Sequence, residues 1–257
     1  MTNGIVNGKK IKPKVTAIIQ ARMQSKRLPG KAMLELAGRP LLSHVIERTK
    51  LIEGVDTVVV ATSMGNENYP IIELAESMDV NIFVGSMDNV LERYYLAANE
   101  FGGEIIVRVT GDNPFTDVDY ASMILDISIE SGSDLCALAN LPLGTAVEVI
   151  KRSALEESYT LSEKSYHLEH VTPFIKEHPE LFSIERPEVD IDNPFEKLRL
   201  TVDTNDDYRF AAILYENLYN EHHFILSDVI EFLKENPELV LINNEIKQRP
   251  AVHSERI

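Results

Sequence analysis

Cysteine is nearly missing from this 257-residue chain: Cys136 stands alone. No internal disulfide is available, and the thiol is read as a small core residue in a reducing compartment. No apolar run approaches the roughly 18 to 20 residues that a bilayer span requires. The N-terminus carries lysines without the apolar stretch of a signal peptide. These absences lead to the expectation of a cytoplasmic protein with no membrane partner. Positive charge is also scarce, with 25 Lys and Arg against 41 Asp and Glu, a formal net charge of -16. A protein that lies along nucleic acid or an anionic membrane needs a broad positive surface, so both partners are disfavoured. No internal repeat or low-complexity tract interrupts the chain.

With 44% hydrophobic residues, the chain has enough apolar material for one full core. Residues 1–14 are polar and rich in Gly and Lys and are expected to be a mobile leader. Residues 15–250 are expected to be a single domain with an acceptor or dimer subregion near 140–190, and 251–257 a tail. From Val15 onward β-rich runs alternate with amphipathic stretches, which predicts an α/β fold with a doubly wound, mainly parallel sheet. Strands are expected at Val15–Gln20, Asp56–Thr62, Asn81–Val84, Glu104–Thr110 and Asp134–Leu138. Later strands are expected within Leu141–Ile150 and at Phe182–Arg186 and Leu198–Asp203. The intervening helices fall near Asn68–Met78, Asn89–Phe101 and Val118–Ser131. Another begins at Pro40, with Leu41, Leu42, Val45, Ile46 and Ile52 on its apolar face. Two helical segments separated near Ser162 fill Lys151–Glu177, and two more close the chain at Asp207–Tyr219 and Ser227–Glu235.

Against the acidic background, five basic residues (Arg22, Lys26, Arg27, Lys31 and Arg39) and one acid (Glu35) lie between Arg22 and Arg39. A local basic pocket of this kind points to a small polyanion such as a triphosphate. The stretch VTAIIQARMQSKRLPGK sends a buried strand directly into a cationic loop, and ligands of open α/β sheets sit beyond the carboxyl ends of the strands. Arg22 and Lys31 are the candidate triphosphate ligands, with Pro29 and Gly30 forming a tight turn that brings backbone N–H groups toward an anion. A solvated basic loop is the bland alternative. The Walker A spacing does not occur. Two strand-like runs end in aspartate, at Asp112 and Asp203. A pair of carboxylates facing one cleft suits a Mg²⁺–triphosphate complex, while turn and helix-cap duty is the ordinary use of Asp.

Several ordered blocks carry a resemblance: IIQARMQSKRLPGK, AGRPLLSHVIER, VVVATS, VGSMDNVLERYY, IIVRVTGDNPF, GTAVEV, EHVT and LRLTVDTNDD. From Val15 to about Tyr208 the chain resembles the spore-coat polysaccharide (SpsF-like) cytidylyltransferases, relatives of the CMP-sugar-acid synthetases. The resemblance implies the nucleotide-diphospho-sugar transferase fold and transfer of CMP from CTP with release of pyrophosphate. It implies Mg²⁺ held by Asp112 and Asp203, with Arg22 and Lys31 stabilising the leaving pyrophosphate. Ala61, Thr62 and Ser63 would read the base, with Asp88 and Arg93 beside the nucleotide and Ala21, Gly30 and Gly111 in the same binding set. Asp88 or Asn89 serves equally as a helix N-cap with Glu92 completing the box.

Gly144, Glu148 and His170 would face the acceptor, and Arg108 and Arg199 its anionic group, unless these two arginines are structural charges. His167 and His170 lack zinc-site spacing and a third ligand. The family also implies a homodimer, here through the helices of Lys151–Glu177. The loop departs from the Gly-Ser-Lys pattern of the CMP-sialic acid synthetases. The expected acceptor is therefore a small phosphorylated or carboxylated metabolite for a surface polysaccharide. A nucleotide-sugar-dependent glycosyltransferase, a non-catalytic nucleotide-binding subunit and a different base preference stand as alternatives.

Overall fold

The computed structural model describes residues 12–195 and 197–248, together with a short antiparallel backbone pairing of Ile5–Val6 with Lys9–Lys10. Half of the expected leader, and all of the expected tail, lies outside the described residues. Strands β1 (Val15–Gln20), β2 (Thr57–Ser63), β3 (Asn81–Gly85), β4 (Ile105–Thr110), β5 (Leu135–Ala137), β6 (Glu148–Lys151) and β7 (Ile184–Glu185) form one sheet. Their spatial order is β7-β5-β6-β4-β1-β2-β3. Strands β4, β1, β2 and β3 pair in parallel, and β6 runs antiparallel to both β4 and β5. The helices are α1 (Leu41–Leu51), α2 (Tyr69–Ser77), α3 (Val90–Phe101), α4 (Val118–Ser131), α5 (Arg152–Leu161), α6 (Ser165–His170), α7 (Pro173–Glu177), α8 (Asn205–Leu218) and α9 (Leu226–Glu235).

Period-2 alternation divides the core into two clusters, one on each side of the sheet. Val15, Ala17 and Ile19 of β1 pack with α1, α4, α8 and α9, whereas Ile18 packs with α3, α5 and α7. On β4, Ile105, Val107 and Val109 join the first cluster and Ile106 the second. Arg108, two residues on from Ile106, therefore belongs to the α3/α5/α7 side, a placement that matters below. Tyr94 of α3 is fully buried, and its hydroxyl lies 3.0 Å from the Ile18 carbonyl and 2.9 Å from that of Val109, locking α3 against the two central strands.

The expected parallel core is present with its boundaries shifted by a residue or so. Helix α1 starts one residue after Pro40, because Arg39–Pro40 pairs with Glu35–Leu36 before the helix begins. The Lys151–Glu177 stretch holds three helices, since the chain breaks at Val171, with a positive φ of 72°, as well as near Ser162. The larger correction concerns Leu198–Asp203, which is extended but does not join the sheet. Its N–H groups go to loops instead: Leu200 donates to the Leu143 carbonyl (2.7 Å) and Val202 to that of Asp112 (2.8 Å).

His44 of α1 is buried, with Nε2 2.8 Å from the Leu36 carbonyl and its ring 4.5 Å from that of Tyr215. Burial pushes its pKa down from 6.5 to about 4, so the folded state holds the neutral ring. A pKa lowered on folding means that the unfolded chain takes up more protons below pH 6.5. The contribution is therefore complete above that pH and is lost as pH falls through about 4. Urea unfolding at pH 7 and pH 4.5 should show a loss on the order of 2–3 kcal/mol from this group, and His44→Gln should remove that portion of the pH dependence.

Candidate functional site

Strands β1 and β4 lie side by side with Gln20 opposite Thr110, so both chains leave the sheet at the same place. The turn there is tight: the Gly111 N–H donates to the Gln20 carbonyl at 2.8 Å, and a Cβ at Gly111 would stand 2.9 Å from the Ala21 Cβ. A cavity of about 850 Å³ opens beyond these strand ends, where ligands of such sheets bind. Its wall carries six cationic side chains, Arg22, Lys26, Arg27, Lys31, Arg93 and Arg108, and three acidic ones, Asp112, Glu169 and Asp203. In a chain of net charge -16, this is a concentrated field for a polyanion.

The centre of the cavity is built from three distant segments. The Pro29–Gly30 turn closes on itself, with Gly30 N–H donating to the Met23 carbonyl and Lys31 N–H to that of Leu28. These N–H groups are therefore spent inside the loop, and the turn's effect is to launch Lys31 across the cavity. Lys31 Nζ donates to Asp112 Oδ2 (2.8 Å), Asp203 Oδ1 (2.8 Å) and the Val202 carbonyl (2.9 Å). Arg27 and Arg199 each approach Asp203 Oδ2 at 2.9 Å. Burial favours the neutral amine of Lys31, but the Asp112 and Asp203 charges outweigh it and hold its pKa above the ordinary lysine value. Burial acts against the Asp203 carboxylate as well, and Lys31, Arg27 and Arg199 overcome it, leaving that pKa depressed. The Val202-to-Asp112 hydrogen bond ties the second aspartate's segment to the first aspartate's loop. Gly144 makes this possible: with φ near 100°, it lies so close to Leu200 that an added Cβ would sit 2.6 Å from the Leu200 carbonyl carbon.

Toward β2 and α3, Arg93 is 2% exposed and donates to the Ser86 (2.7 Å) and Met87 (3.3 Å) carbonyls, with Nε unpartnered. Arg22 also reaches the Met87 carbonyl, at 3.4 Å. Burial lowers the Arg93 pKa to about 10, with the Arg22 charge acting in the same direction. On the opposite side, Arg108 donates to Glu148 Oε2 (2.7 Å) and to Gln20 Oε1 (3.3 Å). Burial alone would raise the Glu148 pKa, but Arg108 and Lys176 draw it down to about 2. His170 lines the cavity near Arg108, and burial together with that charge lowers its pKa.

Of the residues singled out in the sequence, Ala21, Arg22, Lys31, Arg93, Arg108, Gly111, Asp112, His170 and Asp203 line the cavity together. The others sit elsewhere. Glu148 stands behind Arg108 instead of facing the cavity, and Thr172 and Lys176 hold it there. Arg199 is a structural charge: buried, it donates to Asp207 Oδ1 (2.8 Å) and Gln248 Oε1 (2.6 Å) as well as to Asp203. Ala61, Thr62 and Ser63 are buried at the C-terminal end of β2, where the Ser63 carbonyl and hydroxyl accept from Asn68. Asp88 is exposed, and Asn89 caps α3 by accepting from Glu92 N–H at 2.8 Å. Arg27 and Glu169 line the cavity without an assigned role; the basic run from Arg22 to Arg39 was the available signal for Arg27, and the EHVT block for Glu169.

Among the described residues no three His, Cys, Asp or Glu side chains converge as a self-sufficient metal cage. Asp112 and Asp203 nonetheless suit Mg²⁺, which takes one or two carboxylates and completes its shell with water and phosphate oxygens.

A mainly parallel α/β sheet carrying a large cationic cavity and an aspartate pair beyond its strand ends defines a nucleotidyltransferase-type site. The cytidylyltransferase family model matches residues 16–246, and the chain belongs to that family. The spore coat polysaccharide biosynthesis protein SpsF of Bacillus subtilis is 32% identical over 227 residues, covering 86% of this chain and 94% of that one. A 3-deoxy-manno-octulosonate cytidylyltransferase of Geobacter sulfurreducens is 38% identical over 105 residues, 40% of each chain. The structure of a cytidylyltransferase from Leptospira borgpetersenii superposes with a TM-score of 0.83 at 29% identity, covering 92% of this chain and 99% of that one.

Asp207, with its side chain fully buried, accepts from Arg199, Asn243, Thr204 and the Asp203 N–H. Asp207→Ala would remove one of the two carboxylates paired with buried Arg199, leaving Asp203, and would free the Asp203 backbone N–H. Denaturant unfolding should register a loss of about 3–5 kcal/mol.

Proposed function

We propose that the protein transfers CMP from CTP to a small phosphorylated or carboxylated acceptor, releasing pyrophosphate, with Mg²⁺ on Asp112 and Asp203. The observation that carries this reading is the ring of six cationic side chains around an aspartate pair in an otherwise strongly acidic protein. An acceptor oxygen attacks the α-phosphorus in line, a new P–O bond forms, and the bond to the β-phosphate oxygen breaks. Catalysis of this kind consists mainly of positioning and charge neutralisation. Arg22 and Lys31 take charge from the departing pyrophosphate. Bound Mg²⁺ supplies further neutralisation of the phosphate oxygens.

Arg108, pinned by Glu148 and Gln20, is the fixed cation for the acceptor's anionic group, and His170 borders the same space. An ionised phosphate acceptor needs no base; a hydroxyl acceptor requires one to take its proton. The name of the Bacillus relative supports a place in surface polysaccharide synthesis. Among the described residues no helix is long and apolar enough to cross a membrane, which supports a cytoplasmic location. The α5–α7 helices are the proposed homodimer contact.

Pyrophosphate release should occur with CTP and exceed that with ATP, GTP or UTP when a panel of phosphorylated metabolites and sugar acids is screened. Asp112→Asn and Asp203→Asn should each lower turnover by at least about a hundredfold with the fold retained, as read by circular dichroism, and Arg22→Ala should raise KM for CTP. Full activity in any of the three removes that residue from the mechanism. Sedimentation at micromolar protein should give a dimer; a monomer would eliminate the α5–α7 contact.

A further inference from the structure

Lys31 stands where it cannot remain once a triphosphate and a divalent cation are bound. An ammonium has three protons to donate, and those of Lys31 are committed to Asp112, Asp203 and the Val202 carbonyl at 2.8–2.9 Å. In this arrangement no proton is left for a phosphate oxygen. The aspartates are engaged as well, Asp112 through Oδ2, which accepts from Lys31. Asp203 Oδ1 is taken by Lys31, and its Oδ2 by Arg27 and Arg199.

The three cations differ in freedom. Arg199 is anchored by Asp207 and Gln248 and is 4% exposed. Arg27 touches only the far oxygen of Asp203. Lys31 alone bridges the two carboxylates, on a flexible four-carbon stem that can re-aim its charge.

We infer that Lys31 is a resident counter-ion, closing the Asp112–Asp203 pair to a divalent cation until the phosphate chain of a nucleotide draws its ammonium away. The inference rests on the reading of these aspartates as metal ligands. Removing Lys31 without replacement leaves two close, poorly solvated carboxylates repelling each other. It also leaves the ammonium without acceptors. Both costs vanish only when the cation and the polyanion arrive together, so metal and nucleotide bind with positive coupling, which linkage makes reciprocal.

Mn²⁺ binding followed by the electron paramagnetic resonance of the free ion tests this without an acceptor. The wild-type protein alone should bind Mn²⁺ at least tenfold more weakly than Lys31→Met. CTP should tighten wild-type binding at least tenfold, after correction for Mn²⁺ held by free CTP, and should tighten the variant much less. Equal Mn²⁺ affinity in wild type and Lys31→Met, without nucleotide, overturns the inference. Lys31→Gln serves if the Met variant does not fold, and the wild-type protein gives a separate arm. Its Tm should be unmoved by Mn²⁺ alone and raised by Mn²⁺ with CTP, and a rise with Mn²⁺ alone also refutes the counter-ion role. Asp112→Asn separates the two layers. If Asp112→Asn with CTP binds Mn²⁺ as tightly as the wild type with CTP, the metal-ligand reading fails and the inference falls with it. If it abolishes that binding while Lys31→Met matches wild type, only the counter-ion role is lost.

Discussion

The ion cluster of Lys31, Asp112 and Asp203 is the constraint around which the functional end of the molecule is organised. Its members come from positions 81 and 172 residues apart along the chain from Lys31. Bringing two carboxylates together at 26% and 11% side-chain exposure is unfavourable without a cation between them, because burial and mutual repulsion both oppose ionisation. Lys31 supplies that cation. The cost of confining these charges is offset by hydrogen bonds that satisfy nearly every oxygen, the condition under which buried ion pairs persist.

The surrounding architecture is arranged to hold that cluster. The parallel pairing of β1 with β4 sets Gln20 beside Thr110 and aims both following loops at the same space. The Leu198–Asp203 segment is laid across the loops at Leu143 and Asp112. The α8 capping box then fixes its end: Asp207 accepts from Thr204 and also from Arg199. A single carboxylate thereby joins helix initiation to the electrostatics of the site. On the other flank, Glu148 is gripped by Thr172 and Lys176 at α7 and pins Arg108. The α5–α7 region is mechanically continuous with the cavity wall.

The cationic excess of the cavity also explains why a protein of net charge -16 can attract an anion. Field is local when the groups that make it are partly withdrawn from solvent and close together. Arg93, almost wholly buried and bonded only to carbonyls, is the extreme case. A guanidinium that forms no ion pair among the described residues keeps its attraction available for a ligand.

Properties set by near neighbours were legible in the amino-acid sequence. The short apolar, β-rich runs VTAIIQ and IIVRVT specified the central parallel strands. Caps and apolar periodicity specified α3, α4 and α9 to within a residue or so. The basic run from Arg22 to Arg39 marked the loop whose Arg22, Lys26, Arg27 and Lys31 line the cationic cavity, and the ordered motifs named the family. The three-dimensional fold decided what depends on long-range partners. LRLTV has the local pattern of a strand, yet its N–H groups pair with loops, at the carbonyls of Leu143 and Asp112. Glu148 and Arg199 looked like acceptor ligands and became supports, since residues remote in sequence, Lys176 and Asp207, reached them first. Lys31 was expected from the sequence to be a cation for phosphate. That its ammonium rests between two aspartates follows only from folding, because no local pattern encodes which distant carboxylates will share one charge.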